Sequence, residues 1–313
     1  MARTLNIIGA GHLGRVLGRL FADAGAFEVH DVLTRSIDTA HAAVRFIGSG
    51  RAVGALSELR GADAIMLAVG DDQIGPVCAA LAAQCALDGV LVFHCSGALS
   101  SGALRAAAQQ GALTASVHPI RSFADPERVA CDFGGTWCGL EGDARALALI
   151  EPALAAIGAR AVAIDAAAKT VYHAASVFAS NYLVTVLDAA LRAYQAAGIA
   201  ESVARELIRP LAAETLANVV RLGPRAALSG PIARGDVDTV ARQQRALDDW
   251  DAPTGQLYRA LADATLSLAR VNASPASPAA PVSPAAPASP AAPVSPASPA
   301  SPASPASPAS GQK

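Results

Sequence analysis

Short apolar runs alternate with amphipathic stretches over the first half of the chain. Leu5, Ile7 and Ile8 form a run rich in β-branched residues, suited to a buried parallel strand. Gly9-Ala10-Gly11-His12-Leu13-Gly14 follows at once, and Val16, Leu17, Leu20 and Phe21 then recur at helical spacing. Phe27–Leu33 reads as a second strand that closes a βαβ unit. Ile37–Ile47 reads as a helix, and residues 52–57 hold a short strand. Further strands are expected at 64–69, 90–93, 115–117, 136–140 and 161–164. Helices are expected between them at 74–87, 104–109 and 144–157. This alternation predicts a doubly wound α/β domain over residues 1–165.

From Lys169 the period is helical throughout. Residues 169–197 carry apolar side chains on most of their circumference, which predicts a helix covered on several sides, in a bundle or a dimer interface. A second helix is expected at 202–222, with Pro210 marking a kink. A loop at 223–235 follows, Asp236 serves as N-cap for a helix over 237–247, and the last helix runs over Ala252–Arg270. An all-α domain over 166–271 results. Residues 272–313 are a different kind of chain. Twelve of the twenty prolines lie there, in an Ala/Pro/Ser repeat that cannot build a core and reads as a disordered tail.

Composition narrows the function. The 313 residues suffice for two domains, and a formal net charge of −2 carries no basic footprint for nucleic acid or an anionic membrane. The chain enters its first strand within four residues, leaving no room for a signal peptide, and no apolar run reaches the length of a spanning helix. Five cysteines without a CxxC fit a reducing, cytoplasmic setting.

Strand, glycine turn and helix in that order give the GxGxxG of Gly9–Gly14 its meaning. Gly9 allows the tight turn, Gly11 admits a pyrophosphate to the backbone, and Gly14 lets helix and strand pack closely. The free N–H groups of the helix then face the phosphates, so Ala10, His12 and Leu13 join the expected dinucleotide site. An NAD site favours an acidic residue at the end of the second strand. Here Thr34-Arg35-Ser36 stands instead, a guanidinium and hydroxyls suited to the 2′-phosphate of NADP. Asp31 comes three residues too early for the ribose. Val69, Gly70 and Cys95, at strand carboxyl ends, complete the expected cofactor contacts.

Ser96, His118 and Lys169, with His173 and Asn181 further along the helix, are the candidates for the reactive end. Reduction of a carbonyl or imine needs a proton donor, which Lys169 or His118 could be, and polar groups such as Ser96 and Asn181 to orient the substrate. Each has a plain structural alternative: His94 and His118 could satisfy backbone groups, and Ser96 could cap a turn. His94, His118 and His173 lack the spacing of a metal site.

GAGHLG, LTRS, HCSGALS, SVHPIRSF, YHAASVFASNYL and SGPIARGD together resemble the 6-phosphogluconate dehydrogenase-like superfamily of NAD(P)-dependent reductases. They are most similar to a bacterial family that joins a Rossmann-like domain to a helical C-terminal domain of unknown function. The resemblance covers the chain to about residue 270. It implies an NADP-dependent oxidoreductase acting on a ketone or imine of a small, carboxylate-bearing molecule. HCSG followed by His-Pro is similar to a pair used near the nicotinamide by prephenate dehydrogenases, which implies roles for Ser96 and His118. Lys169 matches a lysine of hydroxyacid dehydrogenases and ketopantoate reductases, although His173 stands where they have asparagine. SGPIARGD is similar to a loop of pyrroline-5-carboxylate reductases, which makes Arg234 the expected substrate anchor. A homodimer is expected, with no nucleic-acid or membrane partner. The alternatives are a non-catalytic NADP-binding sensor or scaffold, and a deazaflavin-linked NADP oxidoreductase.

Overall fold

A computed structural model describes residues 2–270; the Ala/Pro/Ser segment lies outside the described residues. The strands are β1 (Arg3–Ile8), β2 (Phe27–Leu33), β3 (Arg51–Val53), β4 (Ala64–Leu67), β5 (Leu91–His94), β6 (Leu113–Pro119), β7 (Trp137–Gly142) and β8 (Arg160–Ala163). The helices are α1 (His12–Asp23), α2 (Ile37–Ile47), α3 (Asp71–Gln84), α4 (Arg105–Ala108), α5 (Pro126–Cys131), α6 (Ala144–Ala156), α7 (Lys169–Ala179), α8 (Asn181–Ala196), α9 (Glu201–Leu222), α10 (Pro224–Ala227), α11 (Val237–Trp250) and α12 (Ala252–Arg270).

All eight strands form one sheet in the order β3-β2-β1-β4-β5-β6-β7-β8. The first six are parallel and follow the doubly wound 3-2-1-4-5-6 order; β7 runs antiparallel to β6 and parallel to β8. The order reverses between β1 and β4, and a crevice at the strand carboxyl ends opens there. Apolar residues on both faces explain the strand runs: Leu5 and Ile7 of β1 pack with α1 and Phe21, while Ile8, Ile65 and Leu67 pack with α3.

One carboxylate of the parallel strands is fully buried. Asp31 of β2 is fully buried and takes hydrogen bonds from Arg51 Nε at 2.9 Å, Arg60 Nη2 at 2.9 Å and the Arg60 backbone N–H at 2.7 Å. Burial alone would raise its pKa, but the bonds from Arg60 and Arg51 outweigh that and hold it at about 2. Asp31 therefore faces away from the expected ribose site and braces β2, β3 and the turn before β4.

The chain divides into two compact units, residues 1–212 and 213 onward, with the division inside α9. In the first unit the helical stretch after β8 is two helices rather than one. Ser180, at φ −124° and ψ −75°, breaks the ladder between α7 and α8. Glycine and proline are absent from this stretch, so composition carried no sign of the break. The most apolar 18-residue window of the 166–196 segment has a mean hydropathy of 1.4, and by length and composition alone the segment could cross a membrane. Its first turn, however, is tied into the sheet through Lys169. Val171, Phe178 and Val184 are 76%, 69% and 67% exposed, so in the single chain this apolar stripe is uncovered. In the second unit Asp236 caps α11 by accepting from the Thr239 N–H at 3.0 Å, and α11 packs on α12.

Candidate functional site

The glycine turn sits at the crevice. Gly9 has φ +86°, and a Cβ there would lie 2.6 Å from the Ala68 carbonyl oxygen. A Cβ on Gly14 would overlap the Gly9 carbonyl and approach Ala68 Cβ to 2.9 Å, so this glycine sets how closely α1 meets β1 and β4. Gly11 is different. A Cβ there would meet nothing within 4 Å, so the protein itself does not need that glycine, and its backbone is left open to the cleft. That is the cradle a pyrophosphate requires, in front of a helix N-terminus with no acidic residue in its first turn.

The cleft holds about 1450 Å³ and is lined by Gly9, Ala10, Gly11, Thr34, Arg35, Ser36, Val69 and Gly70, as the sequence led us to expect, and also by Arg15, Thr39, Asp72 and Gln73. The hydroxyls at the β2–α2 turn are partly committed. Thr34 Oγ1 donates to the Ser36 carbonyl at 2.8 Å, and Ser36 Oγ caps α2 through the Thr39 N–H at 3.3 Å. Arg35 makes no hydrogen bond or ion pair among the described residues and is the open cation of this turn. His12 is exposed and bonds the Phe123 carbonyl through Nδ1 at 2.8 Å, linking the glycine turn to the loop after β6. Cys95 is buried in the sheet core, where desolvation pushes its thiol pKa up; its side chain is a packing group.

A second cluster forms where β5 and β6 end and α7 begins. Lys169 is 1% exposed, and its Nζ donates to the Ser96 carbonyl at 3.0 Å and to Ser116 Oγ at 2.7 Å. Burial lowers its pKa, while the charges of Glu141 and Asp71 work the other way. His94 is also buried. Its Nδ1 accepts from the Ser96 N–H at 3.1 Å and its Nε2 lies 3.0 Å from the Ser100 carbonyl, so it is a neutral pin inside the loop. Ser96 Oγ accepts from the N–H groups of Ala98 at 3.1 Å and Leu99 at 2.9 Å, which shapes the turn. Glu141 of β7 takes the far end of the loop, bonding the Ser101 N–H and, at 2.8 Å, its hydroxyl.

His118 faces this loop from the end of β6. Its Nδ1 lies 2.8 Å from the Tyr172 hydroxyl, and its ring meets that of His173 edge-on at 5.5 Å. A Cβ on Gly97 would lie 2.8 Å from His118 Nε2 and overlap the His173 ring. The glycine therefore makes room for two imidazoles. Burial, then the charges of Lys169 and His173, lower the His118 pKa to about 4, and burial raises that of Tyr172 to about 12. Both side chains are uncharged at neutral pH. The arrangement can present one neutral N–H donor, held in orientation by a tyrosine.

Ser96, His118, Lys169 and His173 thus converge within the first unit. Asn181 is exposed at the start of α8, and Arg234 is exposed in the second unit. Tyr172, Ser116, Glu141 and Arg15 escaped sequence reasoning. Tyr172 stands between two chosen residues, Lys169 and His173, and Glu141 is a charge in an otherwise apolar strand; those were the available signals. Among the described residues no three His, Cys, Asp or Glu side chains could together hold a metal ion.

Strand order, glycine turn and crevice define a doubly wound fold of the dinucleotide-binding class. Residues 2–119 match a Rossmann-like domain and residues 136–265 match a domain of unknown function, DUF2520; the chain carries this pairing of domains. Among solved structures, protein TM1727 from Thermotoga maritima is similar at 27% identity and TM-score 0.66, over 86% of this chain and 100% of that one. BF3122 from Bacteroides fragilis, provisionally described as an NADP oxidoreductase, matches at 19% and TM-score 0.71, over 85% and 98%. An imine reductase from Myxococcus stipitatus, in complex with NADP+, matches at 17% and TM-score 0.60, over 86% and 94%. No curated protein matches the chain.

Proposed function

We propose that this protein is an NADP-dependent oxidoreductase that reduces a ketone or imine of a small, carboxylate-bearing molecule. The observation that carries the reading is the neutral His118–Tyr172 pair at the carboxyl edge of the same sheet whose glycine turn leaves a phosphate cradle open. The names of two solved structures of the same fold, one provisionally described as an NADP oxidoreductase and one an imine reductase in complex with NADP+, support it. A bound reduced nicotinamide would supply the hydride to the acceptor carbon.

The chain's own part is binding, orientation and the proton. Gly9–Gly14 would take the pyrophosphate and Arg35 the 2′-phosphate. With the Tyr172 O–H donating to Nδ1, His118 carries its proton on Nε2, on the Gly97 side, where it can polarise and then protonate the acceptor oxygen or nitrogen. Tyr172 would return a proton to Nδ1 and recover its own from water. Lys169 offers no free lone pair or exposed N–H, so we assign it to positioning. It holds the Ser96 carbonyl and places a positive charge that keeps His118 neutral. Asn181 would be the orienting group, and a homodimer would cover the apolar stripe of α7 and α8. Five free thiols suit a cytoplasmic setting.

The test is a parallel fluorescence titration of the full chain with NADPH and NADH, followed by turnover on keto acids and cyclic imines. Tighter NADPH binding and a measurable NADPH-consuming rate are expected. His118→Gln should lower that rate about 100-fold or more while leaving NADPH affinity within twofold. Binding of neither dinucleotide would favour a scaffold and sink the reductase.

A further inference from the structure

Arg15 is a cation without an ion-pair partner among the described residues. It sits in the first turn of α1, where the helix dipole disfavours positive charge and no acidic residue compensates. Its Nε is buried without a hydrogen-bond partner among the described residues, and its guanidinium lies over the Phe46 ring, 5.5 Å from the centroid. Arg19, one turn further on, shares that ring at 5.6 Å but is paired with Asp23. Arg15 lines the cleft with Thr34, Arg35, Ser36 and Thr39, and with one carboxylate, Asp72, at the β4–α3 side.

Two unpaired guanidiniums in one cleft repel each other until a multivalent anion enters between them. A phosphate dianion answers both, since its oxygens accept several charge-assisted hydrogen bonds. The neighbouring hydroxyls add little charge, because Thr34 and Ser36 already serve the α2 cap. Phe46 holds the Arg15 guanidinium itself against α2, the helix that the β2–α2 turn opens, so less freedom is lost on binding. We infer that Arg15 is the second half of a two-arginine clamp, with Arg35, for the adenosine 2′-phosphate, and thus a determinant of cofactor specificity. This rests on the NADP reading above and adds a residue from outside the turn that usually decides it.

The experiment titrates wild type, Arg15→Met, Arg35→Met and the double variant with NADPH, NADH, adenosine 2′,5′-bisphosphate and adenosine 5′-monophosphate, by fluorescence or calorimetry. Methionine keeps an unbranched apolar side chain of similar reach beside Phe46 while removing the charge, and a thermal melt of each variant reports folding. Each single variant should bind NADPH and the bisphosphate about tenfold more weakly, with NADH and the monophosphate changed less than twofold. Arg15→Lys should recover only part of the loss, because an ammonium cannot fork onto two oxygens. Equal weakening of NADPH and NADH by Arg15→Met would place the guanidinium on the pyrophosphate and overturn the inference. No change with either dinucleotide would reduce Arg15 to packing on Phe46 and overturn it as well. A wild type that prefers NADH would remove the NADP reading and the clamp together. A wild type that prefers NADPH through Arg35 alone would remove only the clamp.

Discussion

Two ends of the sheet's carboxyl edge, the glycine turn and the β5–β6 cluster, are built by different means. At the glycine turn, the backbone does the work: Gly9, Gly11 and Gly14 lie within six residues, and what they accomplish follows from lacking a Cβ. At the β5–β6 end, side chains from four distant stretches hold one another: the loop 94–101, Ser116 and His118, Glu141, and Lys169 to His173. The first end is local in sequence and the second is assembled by tertiary structure. Substitutions should therefore act differently at the two ends.

The largest effect is expected beneath the glycine turn, at the buried carboxylate that braces β2. Asp31→Asn should cost about 2–3 kcal/mol of stability, less than the loss for a fully buried pair because Arg51 and Arg60 keep half their side chains in water. Because folding lowers the Asp31 pKa from 3.8 to about 2, its contribution is fully present above pH 4 and disappears as pH falls through 2. Urea melts from pH 7 to pH 2 should show wild type and Asp31→Asn converging toward the acid end. Parallel curves would mean that the arginines contribute nothing through this charge.

Gly14→Ala comes next and tests the backbone argument. The added Cβ overlaps the Gly9 carbonyl, so α1 must move; overpacking of this kind costs about 1–3 kcal/mol. NADPH and NADH should weaken together, since the shared pyrophosphate cradle is displaced. Selective loss of one dinucleotide would show that the cradle is less local than its geometry implies.

The smallest effect, and the most telling, is a change in pH dependence with Lys169→Met. Burial first, and the Lys169 charge second, keep the His118 pKa down at about 4. Removing the charge should let it rise, so activity that needs neutral His118 should fall away at a higher pH than in wild type. NADPH affinity should stay put, because the glycine turn is untouched. An unmoved acidic limb would leave Lys169 a structural residue only.

Much of this was legible beforehand at the first end. The βαβ unit, the glycine turn, Arg35 in place of an acidic residue, and the cap at Asp236 all follow from short-range rules, and the structure has each element where the pattern put it. Lys169 and His118 were legible as residues of interest, but the direction of their side chains was not. A lysine opening a helix gives no hint that its Nζ ends on Ser96 and Ser116 across the sheet. The uninterrupted helix expected over 169–197 became two, because the break at Ser180 leaves no mark in residue type.

By itself the sequence determined the doubly wound sheet, the helical second half and the place of the glycine turn, since each rests on periodicity or on glycines a few residues apart. Tertiary structure alone decided that Ser96 shapes a turn, that His118 is neutral and braced by Tyr172, and that Arg15 joins Arg35 in one cleft. The physical reason is distance along the chain. Contacts across 50 or more residues, such as His118 with Tyr172 or Lys169 with Ser96, depend on how strands stack in the sheet, which no local pattern of residues records.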